Sequence, residues 1–432
     1  MTKRKLGIFE TAQTISGEYL PFNAVAVISL TNAPKPEIVQ RSLKALQARH
    51  PLLQMRIAKK KSQYFFVPEG TPEIPLDVLR RQDPGHWKSV CEEELNTKFD
   101  IENGPLLRCR YLYADGHTDE AEVVISCHHA IIDAASIERL FHELLSLCDT
   151  FRRGEIPQDT SPLPLLLPEE DYFPPRFKGL SGKIRILRFM GKQMGEELAY
   201  RRNMRGKRKP PIQPASRCRI LPVQLSLDDT AHLIRRSRQR KVTLNSCLSA
   251  AMILSVVRNL YDDQSLPVRY FIFADLRPYL KPPVSRDNLG SYHSMIRLCV
   301  PVEKDQDFWD LVLRINRQVY TASKQGEKFI QPLLSPMMMR MFIRSQKIRM
   351  GTTALSYPGF FGIESSYGET KVDAVYGFVS NFPIGPEFSA TARIFDNRIW
   401  LDCLFMDGDM DEAKARAIAE EMMTTLRLPA GR

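Results

Sequence analysis

The chain has 432 residues, with 61 Lys plus Arg against 50 Asp plus Glu, a formal net charge of +11. Hydrophobic content of 43% and charged content of 26% are those of a folded globular protein and exclude a disordered or collagen-like chain. No apolar run approaches the ~20 residues that a membrane-spanning helix needs. The N-terminus, Met1-Thr-Lys-Arg-Lys5, lacks the apolar core of a secretory signal, so a cytoplasmic location is expected.

In chain order, Ala24–Ile28 reads as a strand rich in β-branched residues, and Pro36–Gln47 as a helix with Ile38, Leu43 and Leu46 near helical spacing. Strand and helix patterns alternate to about Arg153. Six prolines between Pro157 and Pro175 then break regular structure, and Pro210, Pro211 and Pro214 close the next segment. A second alternating pattern follows. Helices are predicted over Asp228–Arg238, Leu244–Tyr261 and Asp411–Leu426, and a strand over Val268–Ala274. The simplest organisation is two α/β domains, 1–156 and 217–432, joined by a Pro-bounded crossover, 157–216. The eight cysteines are scattered and form no CxxC pair, so neither a zinc site nor a redox motif is indicated; buried, reduced thiols are expected.

The crossover carries most of the charge. From Asp171 to Pro210 there are 12 Lys and Arg against Asp171, Glu196 and Glu197, a net +9 of the whole chain's +11. Leu180, Ile184, Leu187, Met190, Met194 and Leu198 recur every three or four residues, which predicts an amphipathic helix with an apolar stripe and a basic opposite face. The basic run Arg201–Lys209 has no interleaved aromatic residues to stack on bases, so nucleic acid is not expected as a partner. An anionic membrane surface reached through residues 176–209, or an acidic protein, suits the charge better.

The segment that points to chemistry is Val123-Val-Ile-Ser-Cys-His128-His129-Ala-Ile-Ile-Asp133-Ala-Ala-Ser136. An apolar run leads into the histidines as a buried strand would, and Ile137, Leu140, Phe141, Leu144 and Cys148 follow at helical spacing. Successive side chains of a strand face opposite ways, so His128 and His129 do not share one cavity and make poor joint ligands for a metal. An imidazole is suited to remove a proton from a hydroxyl, amine or thiol near neutral pH, and a nearby carboxylate can hold the local geometry. Read blandly, Asp133 or Ser136 is an N-cap of the helix that follows.

His128-His129-Ala-Ile-Ile-Asp133-Ala134 resembles the HHxxxDG motif of the chloramphenicol acetyltransferase-like superfamily. That superfamily includes condensation domains of peptide synthetases, plant BAHD acyltransferases, alcohol acetyltransferases and phthiocerol dimycocerosyl transferases. Further blocks resemble the family in order: Arg49-His-Pro-Leu-Leu53, Phe99-Asp100 with Gly104-Pro-Leu-Leu-Arg108, Val242-Thr-Leu-Asn245, Asp275-Leu-Arg-Pro278, Asn288-Leu-Gly290, Phe308-Trp309 and Ala354-Leu-Ser-Tyr-Pro-Gly359. The alcohol acetyltransferase and dimycocerosyl transferase type is the most similar.

The resemblance implies an α/β fold of two chloramphenicol acetyltransferase-like domains, each a mixed sheet flanked by helices, with the active-site channel between them. It implies acyl transfer from a thioester, acyl-CoA or an acyl carrier protein, to a hydroxyl or amine. His129 would be the general base, His128 structural, and Asp133 half of a salt bridge. Arg277 would be the other half, with Arg56 as the fallback, and Ser356 is the candidate oxyanion donor. No metal and no bound cofactor is implied, and a monomer is expected. An acidic acyl carrier protein is an implied partner.

Two departures stand out. Ala134 replaces the motif's Gly, which matters only if that position needs positive φ. The family's Asp-Phe-Gly-Trp-Gly segment is absent, its region falling near Tyr376–Pro383, which argues against a peptide-bond-forming condensation domain. His128 and Asp133 also satisfy the HxxxxD spacing of glycerolipid acyltransferases. A non-catalytic scaffold on the same fold is the remaining alternative.

Overall fold

The computed structural model describes residues 2–114, 119–158, 161–207, 211–262, 264–360 and 362–427. Arg208, Lys209 and Pro210 of the basic crossover lie outside the described residues. Two six-stranded mixed sheets carry the fold. In the first, the strand order is Ser366–Tyr367, Thr370–Val379, Asn23–Thr31, Ala121–His128, Leu107–Tyr113 and Leu76–Arg80. In the second it is His293–Val302, Leu266–Asp275, Thr353–Phe360, Phe388–Phe395, Arg398–Met406 and Cys218–Gln224. A small three-stranded sheet, Arg4–Lys5, Gln63–Val67 and Arg56–Lys60, lies beside the first.

The predicted elements form near their expected bounds. The strand at Ala24–Ile28 extends over Asn23–Thr31, and the helix at Pro36 runs to Arg49 with the proline in its first turn, where a missing N–H costs nothing. The second-lobe helices are Leu227–Gln239, Leu244–Leu260 and Glu412–Arg427. Asn23–Thr31 and Ala121–His128 are central strands covered on both faces, which is why they read as apolar runs rather than as alternation.

A division of the chain at residue 217 does not describe the sheets. Thr370–Val379 leaves the second lobe and pairs antiparallel with Asn23–Thr31, from Lys371 opposite Thr31 to Val379 opposite Ala24. The physical reason is edge satisfaction. Without that visitor, Asn23–Thr31 would be an apolar edge strand with unpaired backbone groups. Tyr376, in the region where the Asp-Phe-Gly-Trp-Gly block would fall, belongs to this strand and stacks on Trp87 at 4.2 Å. Between the lobes, Val25, Val27, Leu112 and Val124 pack with Cys218, Ile220, Phe378 and Leu404.

The Pro-rich stretch crosses from one lobe to the other and anchors on the second. Phe173 and Phe177 pack against Leu276, Leu280, Tyr292 and Phe329. The amphipathic helix forms over Gly179–Asn203, but its faces differ from the expectation. Gly182 and Phe189 are buried and Ile186 half-buried, while Leu180, Leu187, Met194 and Leu198 are exposed. At about 100° per residue the cations flank the apolar stripe instead of lying opposite it. The side opposite the stripe is taken by the protein. All eight cysteines are unpaired; seven are buried and Cys299 is half-buried.

Candidate active site

The motif strand Ala121–His128 ends at the lobe junction, and a single 3₁₀ turn, His129–Ile131, separates it from the helix Ala134–Arg152. Asp133 caps that helix, its Oδ1 accepting from Ser136 N at 2.9 Å. Ala134 is the first helical residue and is not among the positive-φ positions, so the motif's Gly is dispensable here. Blocks that were only sequence patterns surround this turn. His50 Nε2 lies 2.6 Å from Glu143 Oε2 on the motif helix. The ring of Phe99 meets His128 edge-on at 6.2 Å and carries the Arg108 guanidinium on its face at 3.8 Å.

The two histidines part ways. His128 is sealed under the first helix, Ile8–Tyr19, where Gly17 makes room for it: a Cβ at residue 17 would lie 2.6 Å from His128 Nε2. Its Nδ1 accepts from Ala130 N at 3.3 Å, and burial holds it neutral with a pKa lowered to about 3. His129 lines a channel of about 290 Å³ between the lobes, whereas His128 does not. A reading that needs His128 as the base, as the HxxxxD spacing does, therefore has no access to substrate.

His129 Nδ1 lies 2.8 Å from the Ile132 carbonyl. A carbonyl only accepts, so Nδ1 carries the proton and Nε2 is left with a lone pair. Among the described residues Nε2 makes no hydrogen bond. Gln13 Nε2, 3.4 Å from the same Nδ1, cannot donate to it in this tautomer. Burial lowers the imidazole's pKa, against the opposing pull of the Ile132 carbonyl. The ring is clamped between Phe22, 5.1 Å between centroids, and His293, 5.0 Å away and nearly parallel.

Asp133 does not touch His129 Nδ1. Its Oδ2 accepts from Arg277 Nη1 at 2.6 Å and from Tyr292 N at 2.9 Å. Arg277 is 2% exposed and sends Nη2 to Ser136 Oγ at 2.9 Å and toward the Gly290 carbonyl at 3.4 Å. Ser136 Oγ in turn accepts from Gly290 N at 3.0 Å. Burial alone would raise the Asp133 pKa, but the Arg277 charge and hydrogen bond outweigh it and hold the carboxyl at about 2. Asp133 is thus both an N-cap and half of a buried ion pair, and the pair bridges the lobes. Arg56 lies apart, its Nε and Nη1 spent on the Glu69 and Glu102 carbonyls. Ser356 lines the channel from the strand Thr353–Phe360, beside a register shift between Ser356 and Gly359 of the kind that re-aims side chains at sites.

Sequence reasoning missed His293, Gln13 and Ser291. Ser291 Oγ donates to Gln13 Oε1 at 2.9 Å and lies 3.4 Å from His293 Nδ1, so the three knit the back of the His129 pocket. His293 is held neutral by burial, with a pKa lowered to about 3. The one signal available was its place three residues beyond the block Asn288-Leu-Gly290. Much of the remaining channel wall is apolar and adaptable, with Phe271, Phe273, Met338, Met339, Phe342 and Met350 lining it. The buried pair Arg393 and Asp402 also lines the channel.

Comparison with known proteins agrees with the fold. Residues 11–163 match the family model Condensation domain, and residues 214–357 match the model Phthiocerol/phthiodiolone dimycocerosyl transferase C-terminus. A phthiocerol/phthiodiolone dimycocerosyl transferase of Mycobacterium ulcerans is 29% identical over 190 residues, 44% of each chain. The aligned region thus spans less than half the length of that relative. Two solved structures share the fold over nearly the whole chain. One is polyketide synthase associated protein 5 from Mycobacterium tuberculosis, with 17% identity, 98% of both chains covered and a TM-score of 0.72. The other is trichothecene 15-O-acetyltransferase from Fusarium sporotrichioides, with 13% identity, 99% of this chain and 95% of that one covered and a TM-score of 0.75. The two models match in tandem on either side of one two-lobed site, so the chain is similar to condensation domains in its N-terminal part and to phthiocerol/phthiodiolone dimycocerosyl transferases in its C-terminal part.

Proposed function

We propose that this protein is an acyltransferase that moves an acyl group from a thioester to a hydroxyl or amine acceptor. The observation that supports this best is the state of His129: neutral, its Nδ1–H tied to the Ile132 carbonyl, its Nε2 free in an apolar channel. In the proposed step, Nε2 takes the acceptor's proton while the acceptor oxygen or nitrogen attacks the thioester carbonyl. The tetrahedral oxyanion that forms accepts a hydrogen bond from Ser356 Oγ. Collapse breaks the carbon–sulfur bond, and the thiolate leaves with the proton held on Nε2. Asp133 and Arg277 position the turn that carries His129 and take no proton. The apolar channel suits a fatty or polyketide acyl chain and a lipid or secondary-metabolite acceptor. The donor is acyl-CoA or an acyl carrier protein.

The test is free-thiol release from a panel of acyl-CoA and carrier-bound thioesters, with candidate alcohols and amines. His129→Gln should lower turnover about 10²–10⁴-fold while leaving donor binding intact. If no thioester in a broad panel turns over beyond the H129Q background, the protein is a scaffold on this fold and the proposal fails.

A further inference from the structure

The crossover helix Gly179–Asn203 has no partner on its outward side among the described residues. Its inner side is fixed at several points. Gly182 packs so close to Phe177 that a Cβ would lie 2.3 Å from the Phe177 carbonyl oxygen. Phe189 is buried against the second lobe, and Glu197 accepts from Arg269 at 2.6 Å. On the opposite side Leu180, Leu187, Met194 and Leu198 are 75%, 68%, 64% and 64% exposed, with Ile184 between them. Those residues fall on one line from Leu180 to Leu198, about 27 Å at 1.5 Å per residue. Gly191 and Gly195 lie on the same side, where added Cβ atoms would meet nothing within 4 Å. An exposed apolar ridge of this length is not a scatter of single surface hydrophobes.

The charge beside the ridge identifies its partner. Lys183, Arg188 and Arg202 flank it and make no ion pair with any described residue. A second copy of this chain would bring the same positive charge to the contact and be repelled. An apolar ridge bordered on both sides by long cationic side chains is the pattern of a helix lying in a bilayer interface, with the ridge in the acyl boundary and the cations among anionic headgroups. We propose that this helix docks the protein on an anionic lipid bilayer. The helix packs on the strand Leu266–Asp275 and the helix Glu327–Ser345, which supply Phe271, Phe273 and Met338 to the channel. Docking there sets the bilayer against the outer side of the channel wall. This inference does not depend on the reaction proposed above, and its readout is binding alone.

The test is co-sedimentation of the full chain with vesicles of phosphatidylcholine, alone or mixed with phosphatidylglycerol. The expected result is binding to the mixed vesicles and little to the neutral ones. L187E/M194E, on side chains the fold does not use, should weaken that binding about tenfold or more with an unchanged circular dichroism spectrum. K183E/R188E should abolish the preference for anionic lipid. Equal partition to both vesicle types, or full retention by L187E/M194E, overturns the proposal. Two other outcomes also overturn it when vesicle binding is absent: L187E/M194E abolishes binding of an acidic acyl carrier protein, or it dissolves a dimer.

Discussion

Replacing Arg277 by methionine separates a structural clamp from an incidental surface contact. The substitution keeps most of the side-chain volume and strips Asp133 of its ion partner, leaving it only the Ser136 and Tyr292 amides. Both charges are buried, so removing one should destabilise the fold by about 3–5 kcal/mol. A pH signature accompanies the loss. The folded-state pKa of Asp133 is lowered to about 2, below the unfolded value, so its contribution is present above the unfolded pKa and is lost as pH falls through the folded one. Against an unfolded value of about 3.9, that contribution is on the order of 2.6 kcal/mol at neutral pH, and about half of it is gone by pH 3. Urea unfolding followed by fluorescence of the three tryptophans, Trp87, Trp309 and Trp400, measures both. The gap between the wild type and R277M should be widest above pH 5 and narrow by about 1 kcal/mol at pH 3. A cost below about 1 kcal/mol, or a gap constant with pH, would refute the clamp. Asp133→Asn combined with R277M should recover part of the loss, because neither buried charge is then left alone.

Burial lowers the His129 pKa, so the acid limb of the kcat/KM profile should lie below 6.5; a limb at or above that value would show a base in a different environment. Gly17→Ala should cost about 1–3 kcal/mol in urea unfolding because its Cβ meets His128 Nε2, whereas Gly191→Ala, facing open space in a helix, should leave stability equal or higher. Ser356→Ala should lower kcat about 10²-fold with little change in KM if its hydroxyl serves the oxyanion; a change below threefold, about 0.7 kcal/mol, assigns that role elsewhere.

The motif strand, its turn and its helix were legible because local pattern fixes all three: an apolar run, then a capping Asp, then helical spacing. Arg277 was reachable only through resemblance, since nothing in residues 133 and 277 announces that they meet across two lobes. No local pattern in Thr370–Val379 says which sheet that segment joins. The helix Gly179–Asn203 had the expected period, but its cations flank the apolar stripe instead of lying opposite it. Its evenly spaced Leu and Met residues mark the stripe that points outward, while Phe189 faces the protein with Gly182, Gln193 and Tyr200, weak signals in any hydropathy count. His293 was missed because a lone histidine at the start of an alternating strand carries no signal until its ring is seen against His129.

The visiting strand has a consequence for how the chain is made. Asn23–Thr31 emerges early in synthesis, yet the neighbour that covers its free edge ends at Val379. Until then the nascent first lobe holds a nine-residue apolar edge open, a template for pairing with any other extended chain. A ribosome stalled or a message truncated before residue 370 would release a product that lacks the strand covering that edge. Such a product is a candidate for aggregation, and the chain depends on residues 370–379 to close that edge.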